Sequence, residues 1–415
     1  MAVNSVVLRP YFLRGFMLRR FFHPDALMTL LLTFAAMWLL QFVALKVDFL
    51  NPLARSVTDF QLTDVVFANL RTEEVADTNI VLVNIGELDR AGIARQIERI
   101  SAATPKVIGI DAFFLREKSP ELDDPLAAAI AAAPQVILCS KLRYNSAADR
   151  FDSLIVSHPI FSRRGASGFA NLINEDESNY KTARKFSPAE VVENRQEPAF
   201  ATAIARAMNP EAAERLLARG NPLETINFRG DYGHFYTLDA GFADDPAADI
   251  SFVRGKAVIF GYLGRSLQQS DLVDRFFTPL NPRPAGRTLP DMYGVVIHAN
   301  IISMIVRGDY INELPEWAEN ALNIATSYCF VAFFGWLYVN KSRWYDTISV
   351  ILQLALSLGL LFCQYLLFEL FRFRLGMALC VAIIALSGNV QEVYYDVLKN
   401  AARNLRRKKP APRDA

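Results

Sequence analysis

Residues 79–85 read NIVLVNI and residues 106–114 read KVIGIDAFF. Each is a near-continuous aliphatic run rich in β-branched residues, the pattern of a strand covered on both faces. A third run, QVILCSKL, occupies 135–142. Between the first two the periodicity predicts an amphipathic helix over Ala94–Ala103, and between the second and third an alanine-rich helix over Pro125–Ala133. Strand, helix, strand, helix, strand at this spacing predicts parallel strands joined by right-handed crossovers.

Outward from this centre the pattern loosens. Gly168–Ile173 and Lys181–Phe186 are expected as hairpin arms around a polar tip, Asn174–Asn179. Ser187 and Pro188 followed by Glu190 carry the cap, first-turn proline and third-position acid of a helix start. Further helices are expected from Pro198 and over Glu211–Arg219, and strands over Thr225–Arg229 and Lys256–Gly261. Val295–Val306 reads as an amphipathic helix that leads through Pro315 straight into an apolar block.

That block is one of four. Ala26–Leu45, Asn320–Val339, Thr347–Phe368 and Leu375–Gln391 contain 20, 20, 22 and 17 residues without a charge. About 20 apolar helical residues cross a hydrocarbon core roughly 30 Å thick, so three blocks span comfortably and the fourth is short. The 415-residue chain is 52% hydrophobic with a mean hydropathy of +0.17. A purely cytosolic globule and a disordered chain are both excluded. The expected layout is a basic N-terminus (1–25), spans at 26–46, 318–340, 347–368 and 375–395, and an α/β domain at 47–317. A loop at 341–346, a turn at 369–374 and a basic tail at 396–415 complete it.

Arg9, Arg14, Arg19 and Arg20 precede the first span, Lys341 and Arg343 join the second to the third, and a basic cluster from Lys399 to Arg413 follows the fourth. The excess of cations on one side places both termini in the cytoplasm and the large domain outside, with Arg372 and Arg374 as a minor conflict. The first block exceeds a signal-peptide core and lacks an Ala-x-Ala site, so it reads as an uncleaved anchor. Residues 47–317 hold 28 Lys and Arg against 36 Asp and Glu, a net of −8, while the rest carries +9. An acidic outer domain argues against a nucleic-acid partner, and the basic flanks suit anionic membrane lipid. Cys329, Cys363 and Cys380 fall in spans, leaving Cys139 alone in the outer domain, which excludes an intradomain disulfide.

The order of anchor, α/β domain and three close spans, with several stretches of text, resembles the CHASE2 domain family. These stretches are the acidic exit of the first strand (Ile85, Glu87, Asp89), PKVIGID at 105–111, the Asp124–Ala133 helix and Gly168–Asn171. GKAVIFGYLG at 255–264, DRFFTP at 274–279 and YGVVIHANI at 293–301 continue the likeness, which covers about residues 50–395. Ala91–Arg95 stands where the family often has a Trp- and Pro-rich turn, and Gly86 where an aspartate is common. The resemblance implies an extracytoplasmic sensory module of a bacterial receptor. Such receptors usually continue into a kinase or cyclase, whereas Asp396–Ala415 is too short for a folded domain.

Ligands of parallel α/β sheets sit beyond the carboxyl ends of the strands. The candidate ligand residues there are Glu87 and Asp89 after the first strand, Asp111 in the second, and Asp271 and Asp274 after KAVIFG. Together they could hold a hard cation or the amino group of a small solute, or serve as turn and capping acids. Gly261–Ser266 lacks both phosphate-binding glycine patterns and is expected as a tight turn. His23, His158, His234 and His298 show no metal-ligand spacing, with His298 placed on the polar side of its helix in a packing role. No GxSxG elbow is present, and no catalytic residue, metal or cofactor is expected. Gln353, Gln364, Asn389 and Gln391 are expected to hydrogen-bond between spans. The leading reading is a non-enzymatic inner-membrane sensor or adaptor signalling to a separate effector or envelope protein, with a homo-oligomer as a further option. The alternative is a structural scaffold subunit of an envelope complex, and a carboxylate-based enzyme comes third.

Overall fold

The computed structural model describes residues 24–46, 75–147, 149–163, 165–172, 182–269, 271–281, 289–340 and 344–407. Contacts divide the chain into two units, residues 59–311 and residues 1–58 with 312–415.

The first unit is built on a seven-stranded sheet. Its strands are β1 (Asp77–Asn84), β2 (Val107–Ile110), β3 (Val136–Asn145), β4 (Arg150–Ile155), β5 (Ala166–Phe169), β6 (Phe235–Leu238) and β7 (Ala257–Gly261). The order is β6-β1-β7-β2-β3-β4, with β5 also paired to β3. All pairings are parallel except β3 with β4. After α1 (Pro24–Lys46) of the other unit, the main helices here are α2 (Arg90–Ala102), α3 (Pro120–Ala132), α4 (Phe200–Met208), α5 (Pro210–Ala218) and α6 (Gly294–Arg307). The central β1-α2-β2-α3-β3 run matches the expected crossover pattern, with β7 returning between β1 and β2.

Period-two alternation sorts the strand residues onto two faces. Val81, Val83, Ile108, Ile110, Val136, Leu138, Val258 and Phe260 pack with Ile93, Ile97 and Ile100 of α2 and Leu126 and Ile130 of α3. On the other face, glycines let helices lie close to the strands. A Cβ at Gly109 would collide with Ile204 of α4, one at Gly168 would lie 2.7 Å from Phe200 Cα, and one at Gly261 would lie 2.6 Å from Val295 of α6.

Three local expectations fail. The hairpin of Gly168–Ile173 with Lys181–Phe186 does not form, because β5 pairs with β3 and Lys185–Phe186 pairs with Glu224–Thr225. Pairing with a buried strand wins over local pairing; the tip itself lies outside the described residues. Ser187–Glu190 starts no helix. The Ser187 hydroxyl bonds the Ala189 carbonyl at 3.1 Å, and Ala189–Val192 pairs with Arg195–Pro198 around Glu193 and Asn194. Both turn residues have positive φ (48° and 63°), as a two-residue hairpin turn demands. The expected strand at Thr225–Arg229 shrinks to Glu224–Thr225, since Arg229 turns away to bond α6.

In the second unit, α1 is followed after the α/β domain by α7 (Glu316–Val339), α8 (Tyr345–Phe371) and α9 (Ala378–Glu392). A π-helical stretch, Val393–Lys399, and α10 (Asn400–Arg407) extend α9. Glu316–Val339, Tyr345–Phe371 and Ala378–Lys399 are long and apolar enough to cross a membrane. The short fourth block thus gains length by running on through the π-helical stretch. The expected uninterrupted path from the domain into the second span is broken. α6 stops at Gly308, a left-handed C-cap with φ +70°. Asn312–Glu313 then pairs in parallel with Phe373–Arg374, and Glu313 binds Arg374 at 2.7 Å, which neutralises one cation of the turn between α8 and α9.

Leu30 of α1, Val331 of α7 and Ile383 of α9 form a common core. Gln391 Nε2 donates to the Val331 carbonyl at 2.8 Å and Gln364 Nε2 to Leu375 at 2.9 Å. Gln353 lies against Gly388 without a partner for its Nε2, and Asn389 is exposed.

Candidate functional site

The strand register lines up one row of residues along the carboxyl edge of the sheet. Asn84 pairs with Gly261, and Cys139 pairs with Gly168. One residue beyond the printed pairs, Asp111 lies between Gly261 and Cys139, its N–H donating to Phe260 at 2.8 Å. The row Asn84, Gly261, Asp111, Cys139, Gly168 lies on the face that α4 and α6 cover, and its two glycines admit Phe200 and Val295 close to the strands.

Asn84 fixes one end of this edge. Its Nδ2 donates to Asp239 (3.0 Å) and to the Gly264 carbonyl (3.1 Å), and its Oδ1 accepts from Gly86 and Leu263 (both 2.9 Å). All four hydrogen-bonding positions of a buried amide are therefore satisfied. The Gly261–Ser266 segment is held as a tight turn, with Gly264 at φ +98°. It is followed by the loop bearing Asp271 and Asp274 rather than directly by a helix.

The five candidate acids separate by role. Glu87 pairs with Arg265 at 3.1 Å on the surface. Asp89 caps α2, accepting from the Gly92 N–H at 2.8 Å. Asp271 accepts from the Tyr262 hydroxyl and from the Val273 N–H at 3.0 Å. The bond to Asp271, with burial, pushes the Tyr262 hydroxyl up to about 12.

Asp274 lies within electrostatic range of Asp111. Burial drives the Asp111 carboxyl up to about 6, partly offset by a hydrogen bond from the Cys139 thiol. The thiol is pushed upward by burial and by the Asp111 charge, so it stays protonated. Asp274 is exposed as a residue, but its carboxyl turns onto the start of α6, with Oδ2 3.2 Å from the position of a Gly294 Cβ. Burial and then the charge of Asp111 push it up to about 7. Its backbone has φ +54°, and its carbonyl accepts the Gly294 N–H at 3.0 Å. The charge of Asp111 disfavours ionisation of Asp274, which favours a cation or a hydrogen-bond donor between them. Among the described residues no three His, Cys, Asp or Glu side chains converge as a metal site would require.

His298, one turn further along α6, departs from its expected polar setting. It is 4% exposed and meets Phe200 edge-on at 5.3 Å. Burial lowers its imidazole to about 4, opposed by a bond with the Ala170 backbone, so the ring is neutral at pH 7. A helical wheel fails for α6 because Gly294–Ile305 is buried on every side.

The far end of α6 carries a second polar network. Asp77 opens β1 and accepts from Ser303 (2.5 Å), Arg307 (3.1 Å) and the Asn79 N–H (2.9 Å). Burial opposes its charge, yet these bonds hold the carboxyl below the usual range. Arg229 bonds Ser303 at 3.1 Å and the Val75 carbonyl at 2.8 Å. Sequence reading missed Asn84 and Asp77, although a lone polar residue at either end of an apolar strand is a visible signal for both.

Comparison with known families gives a match to the CHASE2 domain over residues 29–339. No curated protein and no solved structure matches the chain.

Proposed function

Because the chain belongs to the CHASE2 domain family, an extracellular sensory family, we propose that it is a non-enzymatic membrane sensor. Its input is a small solute presenting an ammonium or similar donor to Asp111 and Asp274. The observation that carries this reading is the placement of α6. Its first residue bonds Asp274, its last turn holds Asp77, and its 14 residues span about 21 Å between them. Nine residues after Arg307, at Glu316, the first of the three C-terminal apolar helices begins. A solute that ties Asp274 to Asp111 favours one position of the α6 N-terminus, and it shifts the equilibrium by its differential affinity for the two positions.

A separate effector or envelope protein reads the change at the membrane helices. The basic flanks support a bacterial inner-membrane placement with the α/β domain in the periplasm and both termini in the cytoplasm. The test is a melting-temperature screen of the full-length protein in detergent against small primary amines (ethanolamine, putrescine, lysine) and against matched acids. The reading expects stabilisation by an amine that Asp111→Asn and Asp274→Asn each abolish. Stabilisation by acids, or by amines equally in both variants, contradicts it.

A further inference from the structure

We propose that the helix bundle carries a binding groove for one anionic phospholipid, between α1 and the π-helical end of α9. Asp25, at the start of α1, accepts from the Tyr394 hydroxyl at 2.8 Å, from the Tyr395 hydroxyl at 3.4 Å and from Lys399 Nζ. Successive tyrosines on an α-helix diverge, and the wider turn of the π-helical stretch is what aims both at one carboxylate. Tyr395 also stacks on Tyr338 at 5.0 Å and lies under Lys399 at 4.7 Å, so the stretch is held from two sides.

Beside this cluster opens a groove of about 670 Å³. Met28, Leu31, Leu32 and Ala35 of α1 form one wall, which runs about 10 Å along the helix axis. Tyr394, Lys399 and Arg403 form the rim at one end. Asp25 neutralises Lys399, and Arg403 stands exposed on α10 with no acid bound to it among the described residues, so the rim as described is net cationic. An apolar channel with a cationic, hydroxyl-bearing mouth at the end of an apolar bundle matches an acyl chain below an anionic phosphate headgroup. A zwitterionic lipid would bring its own cation to Arg403, and a soluble anion would leave the leucine wall uncovered.

The test is native mass spectrometry of the full-length protein in detergent with dioleoyl phosphatidylglycerol, dioleoyl phosphatidylcholine or glycerol 3-phosphate. We expect one phosphatidylglycerol retained per chain, several-fold more tightly than phosphatidylcholine, and no retention of glycerol 3-phosphate. Arg403→Gln should weaken phosphatidylglycerol about fivefold and leave phosphatidylcholine unchanged. Leu31→Trp, which fills the wall without touching the charges, should weaken both lipids. The lipid-free melting temperature of each variant checks that the bundle is intact. Equal retention of the two lipids, or indifference to Arg403→Gln, overturns the proposal. Retention of glycerol 3-phosphate as strong as that of the lipid would make the rim a simple anion site and overturn it as well.

Discussion

Ser303 and Asp77 lie 226 positions apart and share a 2.5 Å hydrogen bond. The bond closes the α/β domain where the chain enters β1 and where α6 ends. Arg307 bonds the carboxylate and Arg229 bonds Ser303, so the buried Asp77 has a charged partner and its burial is compensated.

Asp77→Asn should therefore destabilise the domain by roughly 3 kcal/mol, because it removes the buried anion that Ser303, Arg307 and the Asn79 N–H bond. Ser303→Ala should cost less, about 1 kcal/mol, since Arg307 and Asn79 remain. Thermal unfolding of the full chain followed by far-ultraviolet circular dichroism checks both values and their order.

The Asp111–Asp274 pair predicts a pH dependence of definite sign. Both carboxyls have folded pKa values, about 6 and about 7, above the ordinary value of 3.8. The stability they contribute is fully present below pH 3.8 and is lost as pH rises through 6 to 7. His298 acts oppositely, since a folded pKa of about 4 gives stability present above 6.5 and lost as pH falls toward 4. Asp111→Asn should raise the melting temperature at pH 8 and flatten its fall between pH 5 and 8. A melting curve at each pH decides this, and an unchanged slope would count against the raised carboxyl at Asp111.

Arg90 and Asp123 form a buried pair joining α2 to α3, and Arg90 also donates to the Arg116 carbonyl at 2.7 Å. Its guanidinium lies over Phe161 and Phe114 at 5.1 and 5.6 Å. Arg90→Met should cost about 3–5 kcal/mol, leaving Asp123 charged and unpaired, whereas the double change Arg90→Met with Asp123→Leu should recover much of it. Comparing the two variants separates loss of the pair from loss of packing.

Gly168→Ala tests the close approach of α4 to β5. A Cβ there would meet Phe200 Cα at 2.7 Å, and backbone cannot yield as a side chain can. A loss of about 1–3 kcal/mol is expected. Gly359→Ala, with nothing within 4 Å, should be neutral or slightly stabilising in the same melting assay.

The strands with strong local signals were legible in the sequence. NIVLVNI, KVIGIDAFF and QVILCSKL became β1, β2 and β3, and KAVIFG became β7. What escaped was decided by distant partners. Gly168 and Phe169 joined β3 because that strand offered a buried edge, and Arg229 left its expected strand to reach Ser303. Of the acid set, Asp274 comes within reach of the charge of Asp111 through the loop after β7, which the spacing of the sequence does not show. The spacing from Glu87 to Asp89 shows nothing of the capping role that takes Asp89 out of that set.

The most direct test of the sensor account is hydrogen–deuterium exchange of the full-length protein, with and without the amine that stabilises it best. The account predicts slower exchange at both ends of α6, around Gly294 and around Ser303–Arg307, and in the Asp77–Asn84 strand. Asp274→Asn should abolish all three changes together. Protection confined to the loop around Asp274, with the far end of α6 unaltered, would contradict transmission through the helix.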